Sequence, residues 1–121
     1  MLKLDHIAIS VSNLEKSIDF YQVLEFKLEN IFHDEEYDWA TMKGQNTTLE
    51  LFCFKNTKNN YVSDLAKIGI HHFAFQVSSI EEAILIAEKL NQKPEIYTGD
   101  LNRKYLMIED PDGIAIQFIE K

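Results

Sequence analysis

The chain has 121 residues, 45% of them apolar, 12% aromatic and 26% charged, with four Gly and two Pro. That is the profile of an ordinary globular domain, and it excludes disorder, collagen-like repeats and several independent domains. Twenty acidic against twelve basic residues leave a formal charge of −8 at neutral pH, a field that repels phosphates, so nucleic acid is not an expected partner.

The opening run LDHIAISV alternates, with Ile7, Ile9 and Val11 on one parity and small or polar residues on the other, which predicts a strand with one face in a core. Ser12 and Glu15 follow in the Ser-x-x-Glu spacing of a capping box, so a helix is expected to begin here. Its apolar stripe is Leu14, Ile18, Tyr21 and Leu24. Strands are predicted near 27–33, 38–43 and 47–54, with a turn at Lys43-Gly44-Gln45-Asn46. The polar stretch from Lys55 to Asn60 lacks apolar periodicity and reads as a linker. The same series then repeats. IHHFAFQV is a second alternating strand, Ser78 with Glu81 opens a second helix, and its stripe is Ile80, Ala83, Ile84, Ala87 and Leu90. Strands near 95–98, 103–109 and 114–120 complete it, the last entered through Asp110-Pro111-Asp112-Gly113.

The repeat is one of residue type as well as polarity. His6 maps to His72, Val11 to Val77, Ser12 to Ser78, Glu15 to Glu81 and Ile18 to Ile84 at one constant offset. The predicted fold is therefore α+β, two tandem βαβββ modules covering about 1–54 and 69–121, joined by a linker over about 55–68. One such module exposes too much sheet to be stable alone, so the two are expected to form a single domain.

Side chains two apart on a strand share a face. His6 then lies with Ala8 and Ser10, away from the helix-facing Ile7, Ile9 and Val11, and His72 lies with Ala74 and Gln76. His71 falls on the opposite parity and is not expected to accompany His72. In TTLELFCF, Glu50 shares a face with Thr48, Phe52 and Phe54, while Leu49, Leu51 and Cys53 face the helix. A carboxylate in so apolar a strand is costly unless paired or bound to a cation. Gln117 occupies the corresponding place in the last strand, at an offset one residue longer. The repeat thus makes two copies of one pattern, His6 with Glu50 and His72 with Gln117. Two imidazoles, a carboxylate and an amide carbonyl are competent ligands for a divalent Zn, Ni, Co, Mn or Fe. His33, in the run His33-Asp34-Glu35-Glu36, reads as a solvated strand end, and Cys53, the single cysteine, as core.

DHIAISVSNLEKSIDFY, LELFCF, GIHHFAFQVSSIEEA and EDPDGIAIQFIE together resemble the vicinal oxygen chelate superfamily, that of glyoxalase I, bleomycin-resistance proteins and extradiol dioxygenases. The resemblance covers almost the whole chain and implies a curved, mixed, eight-stranded sheet around a metal cup. It places the four metal positions on His6, Glu50, His72 and Gln117. It also implies a glyoxalase I-like (lactoylglutathione lyase-like) activity on a small substrate that chelates the metal through vicinal oxygens, with enediolate chemistry. Gln117 departs from the commonest pattern, in which a Glu stands on the last strand, and an amide cannot act as a base. The catalytic base is therefore expected to be Glu50. Arg103 and Lys104 are candidates to hold an anionic substrate tail. The alternative is a bleomycin-resistance-like protein that sequesters a planar ligand without catalysis, using Phe52, Phe54, Trp39 and Tyr105 as stacking surface. A homodimer is expected, since exposed edge strands invite a symmetric partner. The chain has no run of roughly 18 apolar residues and its start, MLKLDHIAIS, lacks the features of a signal peptide, so a cytoplasmic location is expected and a membrane is not.

Overall fold

The computed structural model describes residues 1–56 and 61–121. The chain divides into two compact units, Met1–Asn60 and Tyr61–Lys121. The first runs β1 (His6–Ser10), α1 (Leu14–Val23), β2 (Lys27–His33), β3 (Tyr37–Lys43) and β4 (Thr48–Phe54). The second runs β5 (His72–Val77), α2 (Ile80–Lys89), β6 (Tyr97–Thr98), β7 (Lys104–Glu109) and β8 (Ala115–Glu120), with a short 3-10 turn at Asp100–Asn102. Each unit is one βαβββ module, and the architecture is α+β. Of the linker expected over 55–68, residues 57–60 lie outside the described residues.

The eight strands divide four and four. The sheet orders are β1-β4-β3-β2 and β5-β8-β7-β6. In each, the strand before the helix pairs in parallel with the last strand, and the remaining pairs are antiparallel. The registers correspond. His6 pairs with Thr48 and Ala8 with Glu50, while His72 pairs with Ala115 and Ala74 with Gln117. The extra residue in the second offset is therefore absorbed before β8, and the diagonal relation of His to its partner is the same in both sheets.

Parity decides the core. In the first unit Ile9, Val11, Ala40, Met42, Leu49 and Leu51 are buried beneath Ile18, Tyr21 and Leu24 of the helical stripe. In the second, Leu106, Ile108, Ile116 and Phe118 are buried with Ile80, Ala83 and Ala87. The rings of Tyr21 and Phe20 meet edge-on with centroids 4.9 Å apart.

The helices start one residue later than the Ser-x-x-Glu spacing suggests. The N-caps are Asn13, whose Oδ1 accepts from the Lys16 N–H at 3.0 Å, and Ser79, whose hydroxyl accepts from the Glu82 N–H at 3.4 Å. Ser78 lies just outside α2 and donates its hydroxyl to Glu82 at 2.7 Å. Both helices stop through the same pair of backbone bonds. Glu25 and Asn91 take positive φ, 70° and 57°, and Phe26 and Gln92 N–H reach back to the carbonyls of Tyr21 and Ala87 at 3.0 and 2.9 Å. No glycine marks either stop.

Two further contacts fix the second sheet. Asp110 is buried, and its Oδ1 accepts from the N–H groups of Asp112 and Ile114, both at 2.9 Å. Together with Gly113 at φ 85°, it shapes the turn that delivers β8. Gln92 donates to the Glu109 carbonyl at 2.8 Å and accepts from its N–H at 3.0 Å, tying the end of α2 to the end of β7. Among the described residues no helix is long and apolar enough to cross a membrane.

Candidate metal centre

In the first unit, His6 and Glu50 stand on the sheet face away from the helix. The His6 side chain is 43% exposed and Glu50 24%. His6 Nε2 lies 3.6 Å from Glu50 Oε1, and His6 Nδ1 lies 2.8 Å from Asp5 Oδ2. An ionised carboxylate only accepts, so Asp5 holds a proton on Nδ1 and turns Nε2 toward Glu50. The Asp5 hydrogen bond, followed by the charge of Glu50, raises the pKa of His6 above its ordinary value.

The same face carries a row of rings across three strands. Phe32, Trp39 and Phe52 are register partners, stacked with centroids 4.5 and 5.2 Å apart. Tyr37 joins Phe52 and Phe54 at 5.5 and 4.8 Å. Thr41 is the register partner of Glu50, and its hydroxyl oxygen is buried without a hydrogen-bond partner among the described residues.

In the second unit, His72 and Gln117 stand in the diagonal relation of His6 and Glu50. His72 is half-buried, and its Nδ1 lies 2.9 Å from Nδ1 of His71. The Nε2 of His71 in turn lies 3.1 Å from Ser63 Oγ. Parity therefore misplaces His71. The strand begins at His72, so the alternation that sends neighbouring side chains to opposite faces does not govern the residue before it. An open concavity of about 500 Å³ beside this pair is bordered by His71, Lys93, Met107, Glu109 and Ala115.

The remaining expected residues are placed as follows. Phe52 belongs to the ring row beside Glu50. Tyr105 pairs in register with Ile119, on the face of Gln117, and stacks on Tyr97 with centroids 5.5 Å apart. Arg103 is half-buried, and its Nε donates to the Glu120 carbonyl at 2.9 Å. Lys104 is exposed. His33 pairs across the strands with Asp38 at 2.9 Å, both exposed. Cys53 is half-buried, its thiol directed at the Ser12 carbonyl at 3.6 Å. Sequence reasoning missed Asp5, His71, Ser63 and Thr41. The first three act through hydrogen bonds to a neighbour, and only a fold aligns them.

Among the described residues no three His, Cys, Asp or Glu side chains converge as a metal-holding group. Each unit instead supplies a pair. The chemistry of the donors suits a divalent transition metal: in both histidines Nδ1 is engaged and Nε2 is the nitrogen left to ligate, while Glu50 and Gln117 offer oxygens.

The fold defines an α+β protein built of two tandem βαβββ modules, and comparison with known proteins gives the family. A family model of the Glyoxalase/Bleomycin resistance protein/Dioxygenase superfamily matches residues 3–118, and the chain belongs to that superfamily. It is 30% identical over 132 residues to a lactoylglutathione lyase of Neisseria meningitidis serogroup A, covering 99% of this chain and 91% of that one. It is 28% identical over 130 residues to the mitochondrial methylmalonyl-CoA epimerase of Dictyostelium discoideum, covering 98% and 78%. The solved glyoxalase family protein from Enterococcus faecalis is similar in structure with a TM-score of 0.83 and 25% identity, covering 98% of this chain and 97% of that one.

Proposed function

We propose that the protein is a divalent-metal-dependent, glyoxalase I-like lyase or isomerase whose metal ligands are His6, Glu50, His72 and Gln117. The observation that carries this reading is the duplicated register: an imidazole with Nδ1 engaged, and an oxygen donor on the neighbouring strand, recur at equivalent places in both sheets. The similarity to a lyase and to an epimerase supports enediolate-type chemistry over sequestration alone.

A bound divalent ion would supply Lewis-acid stabilisation of negative charge developing on vicinal oxygens of a small substrate. Glu50 is the group able to take the proton alpha to a carbonyl and return it, since Gln117 is an amide and has no such capacity. Phe52 and Tyr105 would flank the substrate. Arg103 keeps its Nη groups for an anionic tail while Nε holds the Glu120 carbonyl. The expected assembly is a homodimer, read by light scattering.

The row Phe32, Trp39 and Phe52 favours a second reading, capture of a planar ligand by stacking. The two separate by experiment. Metal content is measured by mass spectrometry on protein purified without a His tag, beside Glu50→Ala and His72→Ala. About one transition metal per chain, lost in both variants, together with washout of an alpha-deuterium label from small 2-hydroxy carbonyl compounds, is the expected result. No metal uptake from a panel of divalent ions would overturn the enzyme reading and leave the stacking surface as the better account.

A further inference from the structure

We infer that His71, backed by the Ser63 hydroxyl, is a positioning residue that holds the His72 ring through Nδ1 and presents its Nε2. The functional meaning of this inference rests on His72 being a metal ligand, as proposed above. The hydrogen-bonded geometry it starts from does not.

Asp5 precedes His6 as His71 precedes His72, and both residues stand one place before a strand begins. In both modules the preceding side chain turns back onto Nδ1 of the histidine, at 2.8 Å from Asp5 and 2.9 Å from His71. Asp5 can only accept, so His6 carries its proton on Nδ1. An imidazole is ambivalent, which gives the second module two arrangements. Either His72 Nδ1–H donates to His71 Nδ1 and His71 Nε2–H donates to Ser63 Oγ, or every donor and acceptor is reversed. Only the first leaves a lone pair on His72 Nε2. A cation at that nitrogen therefore selects one polarity of the whole chain, and the selection reaches Ser63, a residue that need not touch the cation. His71 takes the place of Asp5 without adding a negative charge to the donor set, which suits a shell whose second oxygen donor is itself neutral.

The test uses the full chain, labelled with nitrogen-15, at mildly alkaline pH. In metal-free protein an N–H···N hydrogen bond between the two Nδ1 atoms gives a through-bond coupling, expected in the wild type and absent in His71→Phe. Zinc is then added. The expected result is protonation of His72 at Nδ1 and of His71 at Nε2, with zinc affinity lowered about 10- to 100-fold in His71→Phe. His71→Asn places an accepting amide oxygen near the lost Nδ1 and is expected to recover most of the affinity, a rescue that a merely space-filling role would not give. Absence of the coupling, or zinc affinity in His71→Phe equal to the wild type, overturns the inference. A coupling in metal-free protein without zinc uptake by the wild type supports the positioning bond and overturns the metal reading instead.

Discussion

His6 shows how one neighbour sets the direction of a side chain and favours its charged form. Asp5 fixes the proton on Nδ1, and the same hydrogen bond, with the charge of Glu50 added, stabilises the imidazolium and raises its pKa. The sign follows. A pKa raised in the folded state gives stability that is present in full below the unfolded value of ~6.5 and is lost as pH rises through the folded value. Both side chains of the Asp5 pair are solvent-exposed, so the effect on stability is small, and the pKa itself is the quantity to follow. Asp5→Asn is expected to lower the His6 pKa toward its ordinary value, read by NMR titration of the ring; an unchanged midpoint would remove Asp5 as the cause. Asp5 was not legible as a partner of His6 in the sequence, since strand parity sends adjacent side chains apart. It becomes one because the strand starts at His6.

The strands and helices themselves were largely legible, because each rests on a local period. Alternation in LDHIAISV and IHHFAFQV and the stripes through Ile18, Tyr21, Ile80 and Ala87 are properties of short windows, and each appears where expected. The ends were less so. Ser12 and Ser78 have the spacing of caps, yet Asn13 and Ser79 are the residues whose side chains meet the first free N–H groups. Several adjacent polar residues are competent caps, and the packing of the stripe on the sheet decides which one is in phase. The C-terminal stops at Glu25 and Asn91 were hidden for a related reason, since a positive φ is usually advertised by Gly. Replacing Asn13 by Ala is expected to cost about 1 kcal/mol in urea unfolding, within a range of roughly 0.5–2. The same change at Ser12 is expected to cost less, and the reverse order would move the cap back to Ser12.

For the whole molecule, the duplication is what joins sequence to site. Two modules with matching registers turn one His–oxygen pair into two, and a ligand that binds only the folded chain stabilises it by an amount that grows with the logarithm of its concentration above Kd. Zinc at about 100 times its dissociation constant is therefore expected to add roughly 2.7 kcal/mol, visible as a raised Tm. Glu50→Ala is expected to abolish the shift, whereas a shift of equal size in that variant would place the ion elsewhere. The formal charge of −8 opposes an anionic substrate at long range, so Arg103, anchored by the Glu120 carbonyl, is the local counterweight expected to matter.

The sequence by itself determined the α+β class, the order of elements in both modules, the helix-facing parity and the four residues of the repeated pattern, because periodicity and duplication are written along the chain. Tertiary structure alone decided that His6 and Glu50 lie diagonal and 3.6 Å apart, and that His72 and Gln117 share that relation. It also decided the links from Asp5, His71 and Ser63, the stacking of Phe32, Trp39 and Phe52 across three strands, and the buried hydroxyl of Thr41 opposite Glu50. The physical reason is one of range. A residue's face follows from its own strand, whereas its neighbours across the sheet follow from register, and register is set only when strands distant in sequence pair and bury one face together.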